Sequence, residues 1–168
     1  MDICRTCGLC CNGSLFDIAK AEPGEIGRIR ALGLEAIEGD RPHFKLPCRY
    51  TSSGGCGIYE ERFTICRSFR CRLLRRIDAG EVSEGEALQI VAVAKAMLAK
   101  AEPSAPLARR KGVHESRAQW QKLEDPAERM AAARHHLELL ALEEFLNKHF
   151  RNSSTARLLE ASSREEPA

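Results

Sequence analysis

The 168-residue sequence predicts a mainly α protein with irregular segments, in which a small metal-stabilised, loop-rich domain with short helices (1–80) precedes a helical hairpin (81–151). Three observations lead to this fold class. All eight cysteines lie within the first 71 residues. That part is rich in glycine, proline and arginine and has few long aliphatic runs, so a metal or disulfides would have to supplement its core. Two clear helix-start patterns lie beyond residue 80.

The first part of the chain is predicted to alternate loops with short regular elements. Residues 1–14 are expected to form a tight, turn-rich loop, and residues 14–18 a short strand. A helix is predicted over residues 23–32, because Pro23 suits the first helical position and Gly33 stands where a helix often ends in a left-handed glycine.

The middle of the chain is predicted to be irregular and then helical. Residues 39–57 contain two prolines and the pair Gly54-Gly55, all of which favour turns. A short basic helix is expected from residue 64 to residue 79, because its apolar residues recur on one face, and Gly80 would end it.

Both helices of the hairpin have strong start signals. Ser83-Glu-Gly-Glu86 forms a capping box, so a helix is predicted from there to Ala101. Asp125-Pro-Ala-Glu128 combines an N-cap, a proline at the first position and an acidic third residue, and it predicts a second helix that ends near Phe150. A mobile linker is expected between the two helices, near residues 103–124.

The packing of the hairpin and the state of the tail are further predictions. Four residues of the second helix are expected to pack against the first: Leu137, Leu140, Phe145 and Leu146. Residues 152–168 are small, polar and charged, which predicts a disordered tail.

Charge and hydropathy narrow the class of partner and the location. The formal net charge of +2 gives no sign of a strongly charged partner. The apolar stretch from Ala87 to Ala99 is interrupted by Gln89 and Lys95 and is too short to span a bilayer, so no membrane partner is expected. With Cys4 so near the start no export signal is expected, and a cytoplasmic location is predicted. Thiols stay reduced there, which favours metal binding or catalysis over disulfides.

The cysteines are the candidate metal ligands. Thiolates bind soft and borderline metals. Three cysteines spaced as Cys4-x2-Cys7-x2-Cys10, with a fourth from afar, are a known way to hold a [4Fe–4S] cluster, whereas Cys-x2-Cys is equally usual in structural zinc sites. The predicted cofactor is therefore an iron–sulfur cluster or Zn²⁺. The predicted ligands are Cys4, Cys7, Cys10, Cys11, Cys48, Cys56, Cys66 and Cys71.

The number and spacing of the cysteines are consistent with two sites. In extended backbone, neighbouring side chains point to opposite sides, so Cys10 and Cys11 are expected to be the point where two sites diverge. Cys66 and Cys71 are five residues apart and would not share a face of one regular helix. Eight thiolates equal two four-ligand sites, but the count leaves open which cysteines belong together.

Three motifs in order carry a resemblance to a known family. They are Cys4-x2-Cys7-Gly-x-Cys10-Cys11, then Cys56-Gly-Ile-Tyr59-x2-Arg62, then Cys66-Arg67-x-Phe69. Over about 75 residues the chain resembles the CxxCxxCC family, the YkgJ-like cysteine cluster proteins, and the resemblance implies chelation of zinc or iron. Phe63 departs from the family pattern, which usually has proline after the arginine. A related cysteine motif in the flagellin lysine methylase group keeps a methyl-transfer or redox enzyme among the alternatives.

Three functions therefore remain open. The first is a metal- or cluster-binding protein with a redox or metal-handling role. The second is a structural-zinc module whose basic helix binds a protein partner, and the third is a cluster-dependent enzyme. No nucleophile–base arrangement, P-loop or dinucleotide fingerprint is present in the sequence, so no catalytic residue is assigned. Nucleic acid is not the expected partner, because few aromatic residues accompany the arginines between Arg62 and Arg76.

Tyr59 and Arg62 of the second motif have two interpretations. They could orient a substrate or donate hydrogen bonds toward a cluster. The structural interpretation is favoured, in which Tyr59 packs and Arg62 makes an ion pair with Glu60 or Glu61, since arginine readily holds loop carboxylates.

Overall fold

The computed structural model describes residues 3–52, 55–101, 117–118, 120–152 and 158–159. In this part the helices are α1 (Ile3–Cys7), α2 (Ile26–Ala31), α3 (Thr64–Ser68), α4 (Arg72–Asp78), α5 (Glu84–Ala101) and α6 (Pro126–His149). The strands are β1 (Ile18–Lys20), β2 (Ala36–Ile37), β3 (His43–Lys45), β4 (Thr51–Ser52), β5 (Gly55–Cys56) and β6 (Leu158–Leu159). None of the described helices is long and apolar enough to cross a membrane.

The described strands form two small sheets that the sequence did not predict. A four-stranded sheet has the order β2-β3-β1-β6, with β1 antiparallel to β3 and parallel to β6. Strands β4 and β5 form a separate antiparallel pair. The strand expected at residues 14–18 lies instead at Ile18–Lys20. The predicted mainly α class thus holds in part, because the protein is mixed and partly helical.

The first cysteines lie on a helix and not in the loop predicted for residues 1–14. Cys4 and Cys7 are three residues apart on α1, so their side chains share one face of the helix. The helix ends at Gly8, whose φ of +67° is left-handed and costs glycine little. A five-residue helix is too short to leave a periodic pattern, and this is why the sequence did not predict it.

The predicted helix over residues 64–79 is broken into α3 and α4. Phe69 leaves helical geometry at ψ 131°, and Cys71 follows with ψ 166°. The side chain of Cys71 then accepts a hydrogen bond from the backbone N–H of Leu74 at 3.5 Å and caps α4. The backbone N–H of Arg72 donates to the carbonyl of Phe150 at 3.0 Å, and this hydrogen bond joins the start of α4 to the end of α6. These tertiary contacts stabilise the break.

The two long helices begin at the predicted residues. The Glu86 carboxylate accepts from the backbone N–H of Ser83 at 2.8 Å, and the Ser83 hydroxyl accepts from the N–H of Glu86 at 3.2 Å. The Asp125 carboxylate accepts from the N–H of Glu128 at 2.8 Å. Helices α5 and α6 contact each other. Residues 103–116 and 119 of the predicted linker lie outside the described residues.

The packing face of α6 differs from the predicted face. Leu139, Leu142 and Leu146 are buried, whereas Leu137 is 64% exposed and Leu140 is 41% exposed. Successive residues of an α-helix are rotated by about 100°, so Leu140 is turned away from a face centred on Leu139 and Leu142. The prediction that Leu137 and Leu140 pack against α5 is therefore wrong, although the pairing of the helices is right.

The buried apolar side chains form one cluster that includes both predicted parts of the chain. Ile3 and Leu15 of the cysteine-rich part belong to it together with Val91 of α5 and Leu146 of α6. Whether residues 1–80 and 81–151 are separate domains stays a prediction. Most of the predicted disordered tail, residues 153–157 and 160–168, lies outside the described residues, and its disorder stays a prediction. In the described remainder, β6 pairs with β1, and Asn152 donates to the Arg70 carbonyl at 3.1 Å.

Arg151 is a buried cation that ties the end of α6 to the loop after the first cysteines. Its guanidinium donates to the carbonyls of Ser14 at 3.1 Å and Leu15 at 3.2 Å. It also donates to the amide oxygen of Asn147 at 2.8 Å and pairs with the Glu143 carboxylate. A buried arginine with this many acceptors is costly to remove, because each acceptor would lose its partner.

Replacing Arg151 by methionine is expected to lower the free energy of unfolding by about 3 to 5 kcal/mol, the usual cost of removing one partner of a buried ion pair. Denaturant unfolding of equally metal-loaded proteins measures it. The control is Arg30→Met, which removes only the exposed ion pair with Glu38 and should cost about 0 to 1 kcal/mol. Equal losses in the two variants would contradict the assigned role of Arg151.

Candidate metal centre

The eight cysteine side chains gather around two adjoining cavities beneath α1. No disulfide joins any of them, and all eight lie in the described part of the chain. The larger cavity, of about 70 Å³, is lined by Cys4, Cys7, Cys10, Cys11, Cys56, Cys66 and Cys71. The smaller, of about 30 Å³, is lined by Cys10, Cys11, Cys48, Cys56 and Cys66. Each exceeds the 10–15 Å³ that a single water requires, so an ion can be accommodated.

Five pieces of backbone bring these thiols together. Helix α1 supplies two, the loop after it supplies two, and the segment around the β4–β5 hairpin supplies two more; α3 and the N-cap of α4 supply one each. The backbone N–H of Cys48 donates to the carbonyl of Cys11 at 2.8 Å and joins the hairpin to the first loop. Thiols separated by tens of residues therefore meet through backbone contacts.

Gly55 allows the hairpin to approach α1. Its φ is +106°, and a Cβ at this position would lie 2.8 Å from the carbonyl oxygen of Arg5. Any larger residue would force the backbones apart. Gly55 thus places the neighbouring Cys56 against the helix that carries Cys4 and Cys7.

A first thiol set consists of Cys4, Cys7, Cys10 and Cys71. The thiol of Cys10 interacts electrostatically with all three others, and the thiol of Cys7 interacts with Cys71 and Cys4. Three members come from residues 4–10, and the fourth comes from the start of α4.

A second thiol set consists of Cys11, Cys48, Cys56 and Cys66. The thiol of Cys66 interacts with the three others, and the thiol of Cys11 interacts with Cys56 and Cys48. The two sets adjoin, because Cys11 also interacts with Cys4 and Cys10. The two sets do not follow the order of the cysteines in the sequence, because Cys71 lies near Cys7 and Cys10, whereas Cys11 lies near Cys48 and Cys56.

Burial raises the pKa of six of the eight thiols and makes them poor acids in the absence of a cation. It raises the pKa of Cys7 and of Cys66 to about 12 and that of Cys11 to about 11, with neighbouring thiols adding to the rise. Burial also raises the pKa of Cys10, Cys48 and Cys71. A second negative charge beside a buried thiolate is unfavourable, so a cation has to replace the protons for the thiolates to form.

The chemistry of the donors fits a thiophilic metal. In the described part of the chain, no Asp, Glu or His lines either cavity, and the walls include Leu9, Leu15, Leu73 and Phe150. A set of sulfur donors in apolar surroundings suits zinc and iron–sulfur clusters and does not suit magnesium or calcium. Among the described residues no group of three or more His, Cys, Asp or Glu side chains is arranged so that it could hold a metal ion. The thiols would therefore have to turn toward a common point on binding.

Tyr59 and Arg62 line the larger cavity with the thiols, and Arg62 lines the smaller one too. The Arg62 guanidinium lies 3.5 Å from the centre of the Tyr59 ring. Arg62 has no ion pair with Glu60 or Glu61 in the described structure, since Glu61 pairs with Arg28 at 3.8 Å. The favoured ion-pair interpretation of Arg62 is therefore wrong.

Three other arginines of the basic segment make ion pairs or hydrogen bonds with groups of the same chain. Arg70 pairs with Asp78 at 3.1 Å and Arg76 with Glu81 at 3.3 Å. Arg72 donates to two carbonyls at the end of α6, which favours a cation there. These contacts support a structural role for the segment.

Lys95 is a contact of the site that the sequence did not reveal. It lies on α5, and its ammonium donates to the carbonyl of Thr6 at 2.5 Å, at the end of α1. Burial raises the pKa of the neighbouring Cys7 thiol, and the charge of Lys95 opposes that rise. In the sequence Lys95 only interrupted an apolar stretch, and no local pattern linked it to residues 89 positions away.

Phe63, the departure from the family pattern, is explained by packing. It is buried against Phe44, with ring centres 5.1 Å apart, and Arg28 lies over its ring at 4.9 Å. Its φ of −59° is one that proline also adopts. The backbone therefore keeps the conformation of a proline while the ring fills the core.

Comparison with known proteins finds one family. A family model described as CxxCxxCC, "Putative zinc- or iron-chelating domain", matches residues 3–92, which is more than half of the chain. The matched range contains all eight cysteines and ends within α5. No curated protein and no solved structure matches the chain.

Proposed function

The chain belongs to the CxxCxxCC family of zinc- or iron-chelating domains, and from this premise we propose that it holds two metal centres, one on each thiol set. The ligands of the first are Cys4, Cys7, Cys10 and Cys71. Those of the second are Cys11, Cys48, Cys56 and Cys66. The proposal is supported by the eight thiols that line two adjoining cavities, with Cys10 near Cys71, Cys7 and Cys4, and Cys66 near Cys11, Cys48 and Cys56.

The cofactor follows from the spacing within each set. The first set combines the run Cys4-x2-Cys7-x2-Cys10 with one distant cysteine, an arrangement typical of a [4Fe–4S] cluster. The second set has no such run, and its four cysteines suit a closed zinc site or a second cluster equally. The proposal is thus an iron–sulfur cluster in the first set and a cluster or Zn²⁺ in the second.

The role proposed for these centres is redox or metal handling, in the cytoplasm, where thiols stay reduced. The alternative is a structural-zinc module that binds a protein partner. This alternative is less well supported, because Arg70, Arg72 and Arg76 of the basic segment already contact groups of the same chain. A cluster-dependent enzyme remains a further alternative without assigned catalytic residues.

Purification under anaerobic conditions, followed by elemental analysis, sulfide assay and a visible spectrum, tests the proposal. Iron with acid-labile sulfide and a brown colour that fades in air are expected, with metal bound in stoichiometric amounts. Two zinc ions without iron would overturn the cluster assignment and favour the structural-zinc alternative. Absence of stoichiometric iron and zinc from protein grown with both metals would overturn chelation itself.

A further inference from the structure

Two hydrogen-bond donors beside the thiols have no acceptor. The Nε of Arg62 and the hydroxyl of Tyr59 are buried, and neither has a hydrogen-bond partner in the described structure. An unsatisfied buried donor is costly, because it has lost its hydrogen bonds to water. Buried donors without an acceptor are often found at sites where a bound ligand supplies the acceptor.

The groups around these donors are sulfur atoms. Arg62 lines both cavities, and Cys10, Cys11, Cys56 and Cys66 are common to both. Arg62 interacts electrostatically with the thiol of Cys66. Among the described residues no carboxylate lines either cavity, so thiolates are the anions expected next to Arg62 there.

Resting on the proposed function, we infer that Arg62, held on the ring of Tyr59, is a positioning residue that donates to thiolate sulfur of the second set and offsets its charge. A zinc ion with four thiolates carries a formal charge of −2, and a cluster with four thiolates is also anionic. A guanidinium in an apolar wall stabilises such an anion strongly, because little water screens it. The hydroxyl of Tyr59 donates to sulfur from the same side.

The ring of Tyr59 accounts for the position of the cation. With the guanidinium 3.5 Å from the ring centre, the cation–π contact holds Arg62 over the cavity without a carboxylate. A carboxylate in that place would satisfy the guanidinium and remove its effect on the thiolates. Groups of this kind around metal ligands typically contribute 10- to 100-fold in metal affinity.

A chelator challenge of the purified, metal-loaded protein tests the inference. Metal remaining on the protein is followed in time by elemental analysis for the wild type, Arg62→Met, Arg62→Lys and Tyr59→Phe. The control is Arg67→Met, which removes an exposed arginine from the same segment. In Arg62→Met, the metal of the second centre is expected to leave about 10 to 100 times faster than in wild type, while the first centre keeps its rate. Arg62→Lys keeps the charge, so its rate of metal release is expected to lie between those of wild type and Arg62→Met.

The variants separate positioning from a structural role. Tyr59→Phe keeps the aromatic ring under the guanidinium, so its expected few-fold faster release comes from the lost hydroxyl alone. Release of all metals from Arg62→Met and Tyr59→Phe at wild-type rates would overturn the inference. Equal acceleration at both centres in Arg62→Met would show a general structural role and overturn the inference as well. A wild-type protein without stoichiometric metal would instead overturn the proposed function on which the inference rests.

Discussion

Removal of the metal is expected to unfold the cysteine-rich part of the chain while the two long helices keep most of their helical structure. Helices α1, α3 and α4 have five, five and seven residues, too few to persist alone in water. Metal binding to structural thiolate sites is worth about 10 to 16 kcal/mol in small zinc domains, as much as the whole stability of a typical domain. Circular dichroism before and after strong chelation, with metal loss verified, measures the effect.

The remaining helical signal is expected to come from α5 and α6. These helices have 18 and 24 residues and bury Val91, Leu139 and Leu142 in the core. Re-addition of metal under reducing conditions serves as the control and should restore the spectrum. An unchanged spectrum after demonstrated metal loss would contradict metal stabilisation of the fold.

Single substitutions at Cys10 and Cys11 are expected to remove different centres. Serine is nearly the size of cysteine, but its hydroxyl is a poor ligand for a thiophilic metal. Cys10→Ser should therefore lose the metal of the first set, and Cys11→Ser that of the second, each keeping about half of the total number of centres. Elemental analysis and the visible spectrum measure the loss, and each variant is the control for the other. Loss of all metal from both variants would argue for a single shared centre.

The sequence predicted best those elements whose signals are local. The capping residues Ser83 and Asp125 located the starts of α5 and α6, and a hydrogen bond to each confirms them. The break before α4 was missed, because it depends on contact between Arg72 and the carbonyl of Phe150, 78 residues further along the chain. Strand β6 was missed for the same reason: two residues in a polar tail have no strand pattern until they pair with β1.

At the candidate site, too, the sequence predicted local motifs but not the contacts between distant residues. Sequence motifs identified the eight cysteines and the departure at Phe63, and the family match supports metal chelation. They did not reveal that Cys71 lies with Cys10 while Cys11 lies with Cys66, since this grouping depends on how α3 and α4 fold back on the first loop. They singled out Arg62 but did not reveal that its Nε is buried without a hydrogen-bond acceptor in the described structure, since this depends on how distant segments pack around it.

Metal content of two double variants tests the central claim, that two separate centres divide between Cys10 and Cys11. Cys10→Ser with Cys71→Ser removes two ligands from the first set only, so the protein is expected to keep the second centre with its metal. Cys10→Ser with Cys11→Ser removes one ligand from each set, so the protein is expected to lose both. Equal metal content in the two double variants, determined by elemental analysis per chain, would contradict the division into two sets.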